Sequence, residues 1–188
     1  MTIASAGGVT QALHDFAIGH SWLTLPVIVI TAACIALCPI ALIVLWIRTR
    51  TLRPQLATLL GLVIADITNH RIGNIQFHPR PFVALHFTPL FPHNPSTSFP
   101  SSTVAFATVA ATVVLLTWRP LGFVLMVGTA IIAFGCVYVG VHWPSDVLVG
   151  ALLGFACGAV AWLALGVPPV ARLLTRVERQ LPGARRST

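Results

Sequence analysis

The sequence predicts an all-α fold: a polytopic membrane helix bundle of about five transmembrane helices, preceded by an amphipathic N-terminal helix. Composition is the first reason, because 56% of the 188 residues are hydrophobic and only 8% are charged, against roughly 25% charged in a soluble domain. The second reason is that the apolar residues form long runs, and about 20 of them suffice to cross a bilayer as a helix. A soluble domain of this size could not bury so much apolar surface.

Five apolar runs mark the predicted helices in order. They cover residues 22–47, 56–77, 104–118, 121–141 and 147–167. Pro39 lies inside the first run and is expected to bend that helix, because proline removes a backbone hydrogen bond. The third run is short and is expected to begin near Ser101. A short amphipathic stretch at residues 11–18 predicts the N-terminal helix.

The segment from Pro79 to Pro100 is predicted to be a loop, because its six prolines leave no helical periodicity. It carries several large apolar side chains, namely Phe82, Leu85, Phe87, Leu90 and Phe91. We therefore expect this loop to lie on the membrane surface or to pack over the ends of the helices.

The arginines predict the orientation, since the cytoplasmic flanks of membrane helices are enriched in positive charge. Residues 1–170 are interpreted as a single membrane domain and residues 171–188 as a basic cytoplasmic tail. Five crossings then put nine of the 11 cationic residues on the cytoplasmic side. These are Arg48, Arg50, Arg53, Arg119, Arg172, Arg176, Arg179, Arg185 and Arg186. Arg71 and Arg80 fall on the outer side, with the amino terminus.

Composition also excludes some classes of function. The net charge of +7 does not indicate a nucleic-acid partner, because the arginines lie at the ends of apolar runs and not on a polar face between aromatic residues. Cys34, Cys38 and Cys157 lie inside apolar runs, where they are expected to act as small hydrophobic residues. No spacing is typical of a zinc site, and no metal or other cofactor is predicted.

The residues that could carry chemistry gather at the outer end of the predicted bundle. Residues 70–82, 99–103 and 138–146 meet there, and five of the seven histidines lie in or between these segments. An unpaired ionisable residue at a membrane helix end is costly, which favours a functional role. The alternative for any single histidine is contact with water and lipid headgroups.

His142 and Asp146 stand four residues apart at the start of the last predicted helix. At that spacing a carboxylate can accept the imidazole proton and leave the other ring nitrogen free as a nucleophile. Asp146 or Ser145 is equally suited to cap the helix N-terminus. The pair alone does not decide between these two roles.

Five segments occur in a characteristic order along the chain: Asn69–Gly73, Phe77–Phe82, Pro92–His93, Ser98–Ser101 and Val137–Asp146. Together they resemble the type 2 phosphatidic-acid phosphatase superfamily, and most closely the bacterial undecaprenyl-diphosphate phosphatases of the bacitracin-resistance type. The resemblance implies hydrolysis of a polyprenyl diphosphate to the monophosphate through a phosphohistidine. It also implies a bacterial inner (cytoplasmic) membrane, with the active site on the periplasmic or extracellular side and the C-terminus in the cytoplasm.

Carried over position by position, the resemblance implies His142 as the nucleophile and Asp146 as the carboxylate that orients it. Arg80 is implied as a phosphate ligand and Ser101 as a hydroxyl donor. Three further outer residues are candidate phosphate ligands: Arg71, His78 and His93. The implied partners are a polyprenyl phosphate or diphosphate lipid and the bilayer. The sequence does not indicate an oligomeric state.

The chain departs from the superfamily motifs in three places. Gly73 stands where the wider superfamily has a lysine, although undecaprenyl-type members resemble this chain there. Ser102 and Thr103 replace the glycine or aspartate and the histidine that end the second motif. Gly135 and Cys136 replace the Ser-Arg that opens the third. One phosphate clamp and the usual general acid are therefore missing, and each is worth about 10²-fold or more in rate.

These departures leave three functions open. A lipid diphosphate phosphatase tolerates loss of the acid best, because it expels a phosphate monoester whose second pKa is about 6, whereas a monophosphatase expels an alkoxide. A catalytically impaired phosphatase-like protein would bind a phosphorylated lipid, or support a partner, without hydrolysis. A non-hydrolytic prenyl-diphosphate enzyme would divert the leaving diphosphate to other chemistry. We favour the phosphatase, because the nucleophile pair and two phosphate-binding positions are retained.

Overall fold

The computed structural model describes residues 3–178 and 180, and every regular element in that part of the chain is helical. In chain order the helices are α1 (Ile3–Gly19), α2 (Thr24–Thr49), α3 (Arg53–Ile75), α4 (Pro81–Ala84), α5 (Ser102–Thr117), α6 (Arg119–Tyr138), α7 (Pro144–Ala164) and α8 (Pro168–Glu178). A 3-10 turn at Ser21–Leu23 precedes α2. The predicted all-α class and the N-terminal helix are confirmed.

Five helices, α2, α3, α5, α6 and α7, correspond to the five predicted apolar runs. Among the described residues, three helices are long and apolar enough to cross a membrane: α2 with its preceding turn, α6 and α7. The apolar α5 has only 16 residues, and α3 carries Arg53, Asp66 and Arg71 along its 23 residues. By length and composition, three of the described helices qualify as membrane spans, fewer than the five crossings predicted from the apolar runs. The number of helices that correspond to these runs is five, as predicted.

The helix α5 lies at the centre of the bundle. Its residues from Val104 to Val114 are almost all buried, with α6 against one part of its surface and α7 and α3 against the rest. α2 packs mainly on α6. Because α5 is surrounded by other helices, it needs no polar face. This explains why its apolar sequence shows no helical amphipathicity.

Glycines on α7 allow close contact with α5. A Cβ at Gly154 would overlap the carbonyl oxygen of Ala105, and one at Gly150 would lie 2.5 Å from the carbonyl oxygen of Ser101. Small residues at a spacing of four let helix backbones approach closely in membrane proteins. At the top of this contact the Ser101 N–H donates to the Asp146 carbonyl oxygen over 3.1 Å. The glycines therefore hold together the starts of the two helices that carry the second and third motifs.

The outer faces of α2, α6 and α7 expose large apolar side chains. Leu25, Phe123 and Leu152 are each more than 60% exposed. Contiguous apolar surface on this scale is typical of contact with lipid and not with water. The fold is that of a multi-pass membrane protein.

The two ends of the bundle differ in charge. The end of α3, the α6–α7 turn and the starts of α5 and α7 share one end, where the histidines gather. At the opposite end, Arg48 lies over the Trp118 ring at 4.3 Å and Arg53 lies over the Trp162 ring at 3.9 Å. The arginine-rich flanks predicted to be cytoplasmic thus lie away from the histidines.

The long loop between α3 and α5 packs over the helix ends at the histidine-bearing end. His14 of α1 stacks on Phe87 with ring centroids 3.9 Å apart, and the Leu90 N–H donates to the Val139 carbonyl oxygen over 3.1 Å. Gly140 has a φ of +79°, and a Cβ there would overlap Phe87. The loop contains one helical turn, α4, which the proline count did not predict.

The predicted tail is partly helical. Residues 171–178 belong to α8, and the Glu178 carboxylate accepts the backbone N–H of Leu52 over 2.6 Å. Residues 179 and 181–188 lie outside the described residues, and with them Arg179, Arg185 and Arg186 of the arginine count.

We expect Gly154→Val to destabilise the bundle by about 1–3 kcal/mol, because the added side chain overlaps the α5 backbone. Ala156→Val adds the same side-chain type on the exposed face of α7 and should leave stability unchanged. Thermal unfolding of both purified variants in detergent measures the difference. Equal unfolding temperatures would show that the α5–α7 contact is not tight.

Candidate active site

The cluster at the histidine-bearing end centres on three buried residues. His142, Asp146 and Arg80 are 4%, 0% and 6% exposed, respectively. Burying ionisable groups is costly unless they are hydrogen-bonded or paired. Their contacts therefore define what this cluster can do.

The His142 ring lies between a carbonyl group and a guanidinium. Its Nδ1 is 2.9 Å from the carbonyl oxygen of Ser98, and its Nε2 is 3.5 Å from Nη1 of Arg80. A carbonyl only accepts hydrogen bonds and a guanidinium only donates them. In the neutral ring the proton therefore sits on Nδ1, and Nε2 carries the lone pair. That lone pair is what a nucleophilic histidine requires.

The Asp146 carboxylate lies beside His142 without being its direct hydrogen-bond partner. Its Oδ2 is 3.7 Å from His142 Nδ1 and accepts the backbone N–H of Trp143 over 2.9 Å. Its Oδ1 is 3.4 Å from Nδ1 of His78. The carboxylate thus caps α7, which was one of the two roles that the sequence left open, and it also puts a negative charge next to the imidazole.

Arg80 is fixed by acceptors on two neighbouring segments. Its Nη1 donates to the Val141 carbonyl oxygen over 2.9 Å, and its Nη2 donates to the Ser96 hydroxyl over 3.2 Å. Burial lowers the pKa of the Arg80 guanidinium, and the Asp146 charge opposes that shift. The buried Nε has no hydrogen-bond partner among the described residues. Arg80 thus has an unpartnered N–H close to His142, and charged donors of this kind form strong hydrogen bonds to anions.

Two contacts position the loop against the start of α7. The Trp143 indole N–H donates to the Pro79 carbonyl oxygen over 2.8 Å, which fixes the residue before Arg80. The Ser98 N–H donates to the His78 carbonyl oxygen over 2.8 Å, and the Ser98 hydroxyl donates to the same oxygen over 3.1 Å. The segments that carry Arg80 and the Ser98 carbonyl are thus tied to each other and to α7.

The other predicted ligands lie at different distances from this cluster. The Ser101 hydroxyl is buried and unpartnered, and no contact among the described residues joins it to His142 or Arg80. The ring of His93, on the exposed part of the loop, has its centroid 6.5 Å from that of His142. Partial burial lowers the pKa of His93, and the charges of Arg80 and His142 lower it further. Arg71 is exposed on α3, with no hydrogen bond or ion pair to the cluster within the described chain.

The positions that depart from the motifs each have a structural consequence. A Cβ at Gly73 would lie 3.1 Å from Thr97 Cγ2 and 3.4 Å from the Phe99 carbonyl oxygen, so the glycine lets the loop pack against α3. Ser102 is the first residue of α5. Thr103, Gly135 and Cys136 line one cavity of about 180 Å³, together with His93 and His142.

Sequence reasoning missed three groups that organise the cluster: the Ser98 carbonyl, the Ser96 hydroxyl and the Trp143 indole. Ser98 and Trp143 lie inside motif segments. Every residue has a backbone carbonyl, so the sequence cannot show that the one at Ser98 binds His142. The spacing of Ser96 and Trp143 along the chain likewise does not predict the partners of their side chains.

These features define a helical membrane protein with a buried histidine, carboxylate and arginine arranged to act on an anionic group. Residues 54–167 match the model of the PAP2 superfamily. The chain belongs to this superfamily, which confirms the resemblance seen in its motifs.

Relatives extend the match over most of the chain. BcrC of Bacillus subtilis, an undecaprenyl-diphosphatase, is 30% identical over 157 residues, which cover 78% of this chain and 79% of BcrC. YbjG of Escherichia coli K12 is 33% identical over 154 residues, which cover 77% of this chain and 76% of YbjG. Family and relatives confirm the predicted class, a lipid phosphatase.

Two solved structures share the fold. The crystal structure of Aquifex aeolicus LpxE has a TM-score of 0.66 and 25% identity, and the match covers 82% of this chain and 92% of LpxE. A transmembrane PAP2-type phosphatidylglycerolphosphate phosphatase from Bacillus subtilis also gives a TM-score of 0.66, at 22% identity. This match covers 84% of this chain and 83% of the phosphatase chain. The bundle is thus a membrane PAP2 fold.

Restoring the superfamily lysine with Gly73→Lys is expected to lower phosphatase activity roughly 10²-fold, because its side chain would displace the segment that carries the Ser98 carbonyl. Asn74→Lys adds the same charge at an exposed neighbour on α3 and should have little effect. Phosphate release by the purified variants measures both. A Gly73→Lys variant as active as wild type would contradict this account of the glycine.

Proposed function

We propose that the protein hydrolyses a polyprenyl diphosphate of the undecaprenyl type to the monophosphate, through a phosphohistidine on His142. The observation that carries the proposal is the position of the His142 ring, whose Nδ1 lies 2.9 Å from the Ser98 carbonyl oxygen and whose Nε2 lies 3.5 Å from Arg80 Nη1. These contacts favour the tautomer with the proton on Nδ1 and the lone pair on Nε2. Two relatives are named undecaprenyl-diphosphatase, BcrC and a Sulfolobus acidocaldarius protein 31% identical over 116 residues. They support the choice of substrate.

In the first step His142 Nε2 attacks the terminal phosphorus. The new N–P bond forms as the P–O bond to the bridging oxygen breaks, and its electron pair leaves with the polyprenyl phosphate. The imidazole becomes cationic, and the carboxylate of Asp146, 3.7 Å from Nδ1, stabilises that charge. Water then attacks the phosphorus as the N–P bond breaks. The electron pair of that bond returns to Nε2 and restores the neutral ring, and both protons of the water stay with the released phosphate.

Arg80 and Ser101 are proposed to hold the phosphoryl oxygens. Arg80 Nε and Ser101 Oγ are buried without partners in the described part of the chain. Leaving a buried donor unpaired costs about 1–3 kcal/mol, and phosphate oxygens would relieve that cost. His78 is proposed to support the carboxylate, because its Nδ1 lies 3.4 Å from Asp146.

His93 is proposed to donate a hydrogen bond to the substrate without acting as the general acid. Its pKa is lowered by partial burial and by Arg80 and His142, so the neutral ring predominates at neutral pH. A neutral imidazole still donates one N–H to a phosphate oxygen. The leaving monoester, whose second pKa is about 6, does not require a proton from the enzyme.

The reaction is proposed to take place at the outer face of a bacterial cytoplasmic membrane, with the C-terminus in the cytoplasm. The separation between the histidine-bearing end and Arg48 and Arg53 supports this orientation, because positive flanks favour the cytoplasmic side.

Purified wild-type protein is expected to release phosphate from undecaprenyl or shorter prenyl diphosphates, and His142→Ala should abolish the release. His20→Ala, which alters an exposed histidine that stacks on Phe16, should not. A substrate radiolabelled in its terminal phosphate should leave label on denatured wild-type protein and none on His142→Ala. The missing nucleophile is the physical reason for both losses.

Other results would replace the proposal. Lipid-phosphate binding without turnover, unchanged by His142→Ala, would indicate an impaired phosphatase-like binder, an outcome that the missing donors at Thr103 and Cys136 would explain. Consumption of the lipid without inorganic phosphate would indicate a non-hydrolytic prenyl-diphosphate enzyme.

A lipid diphosphate is expected to be hydrolysed at least about 10²-fold faster than the monophosphate of the same chain, because only the monophosphate needs the general acid that Thr103 does not supply. Thr103→His should accelerate the monophosphate selectively. Equal rates for the two lipids in wild type would contradict the assignment of the leaving group.

With the diphosphate, kcat/KM should not fall as pH rises from about 6.5, the ordinary pKa of histidine, towards mildly alkaline values. The direction of the pH dependence follows from His93. Because its pKa is lowered from the ordinary value, the ring has already lost its proton before the pH reaches about 6.5. Initial rates at subsaturating substrate measure the profile. A decline that disappears in His93→Gln would show instead that a protonated His93 is required.

A further inference from the structure

The cavity beside His142 lies between α2 and α6, beneath the long loop. It measures about 180 Å³, and its walls include Ile28 and Ile35 of α2, Cys136 of α6 and Phe91 of the loop. His142 forms part of the same wall. The space therefore adjoins the proposed nucleophile.

The cavity is apolar because the residues around it are short or hydrophobic. Among the described residues that line it, His93 and His142 are the only ionisable side chains besides the Cys136 thiol. Thr103 and Cys136 stand where the superfamily motifs place a histidine and an arginine, and both are too short to fill the space. Gly135 lacks a side chain, and a Cβ there would overlap Thr31 of α2.

A second, polar cleft of about 420 Å³ lies on the other side of His93. It is lined by Pro92, His93, Asn94 and Ser96, and the Ser96 hydroxyl accepts a hydrogen bond from Arg80. His93 borders both spaces. A polar cleft linked to the arginine thus adjoins an apolar cavity next to the nucleophile.

The apolar cavity also reaches the lipid-facing surface of the bundle. Ile35 lines it and is 43% exposed, and Ala32 lines it from an exposed position on α2. A hydrocarbon chain in the bilayer can therefore enter beside α2 without crossing the polar loop.

We propose that this cavity binds the isoprenyl unit next to the diphosphate, and that Thr103 and Cys136 thereby select prenyl over glycerol-based lipid diphosphates. The inference rests on the proposed function, because it assigns the tail side of the same substrate. An isoprenyl unit is hydrocarbon up to the bridging phosphate, and its burial is favourable. A diacylglycerol has two ester groups close to its phosphate. Apart from the histidines, the described residues that line the cavity offer their four oxygens only the hydroxyls of Thr31 and Thr103 as donors, so burying the esters here leaves some of these oxygens unpaired, which is costly.

The experiment fills the cavity from the lipid side. Ala32→Phe places a ring in it, whereas Ala33→Phe places the same ring on an adjacent exposed residue of α2 that does not line it. KM values for farnesyl diphosphate and for diacylglycerol diphosphate are compared in the purified full chain. We expect wild type to prefer farnesyl diphosphate and Ala32→Phe to raise its KM by about 10-fold or more, with Ala33→Phe unchanged.

Equal KM values for the two phenylalanine variants, or a wild-type preference for the diacylglycerol substrate, would overturn the inference while leaving phosphatase activity established. If wild type turns over neither lipid, the proposed function fails. Calorimetric binding of farnesyl diphosphate then decides the inference: weaker binding by Ala32→Phe than by Ala33→Phe supports it, and equal binding overturns it. Cys136→Leu, which fills the cavity from α6, replaces Ala32→Phe if that variant does not fold.

Discussion

The hydrogen bond from His142 Nδ1 to the Ser98 carbonyl oxygen is the constraint on which the rest of the site depends. It determines which ring nitrogen keeps the lone pair and turns that nitrogen towards Arg80. The carbonyl is held in place by the His78 backbone and by the packing of the loop onto Gly73. The glycine contacts between α5 and α7 bring the start of α7, which carries Asp146, against the start of α5 at Ser101. These contacts together fix the position of the His142 imidazole.

Much of the fold follows from the sequence, because apolar runs and prolines act locally. The apolar runs located α2, α3, α5, α6 and α7, and proline density located the loop. Two features depended on tertiary contacts: the burial of α5, which lets it be short, and α8, whose Glu178 binds the Leu52 N–H. No periodicity within a single segment reports such contacts.

The site was predictable where side chains carry the chemistry and not where the backbone does. His142, Asp146 and Arg80 were identified from motif positions and lie together, whereas the Ser98 carbonyl was invisible in residue type. Thr103 and Cys136 appeared in the sequence only as lost donors. In the structure they border an apolar cavity beside His142, so the positions that lack the superfamily's usual donors also leave space that hydrocarbon can fill. A substrate with a good leaving group and an apolar tail suits both changes.

The tautomer of His142 is the central claim, and nitrogen-15 NMR of protein labelled at its histidine ring nitrogens tests it most directly. Comparison with His142→Ala assigns the two resonances of this ring. At neutral pH the account predicts a protonated, pyrrole-type Nδ1 and an unprotonated, pyridine-type Nε2. A proton on Nε2 with a free Nδ1 would contradict it, because the nitrogen that faces Arg80 would then have no lone pair for attack on phosphorus.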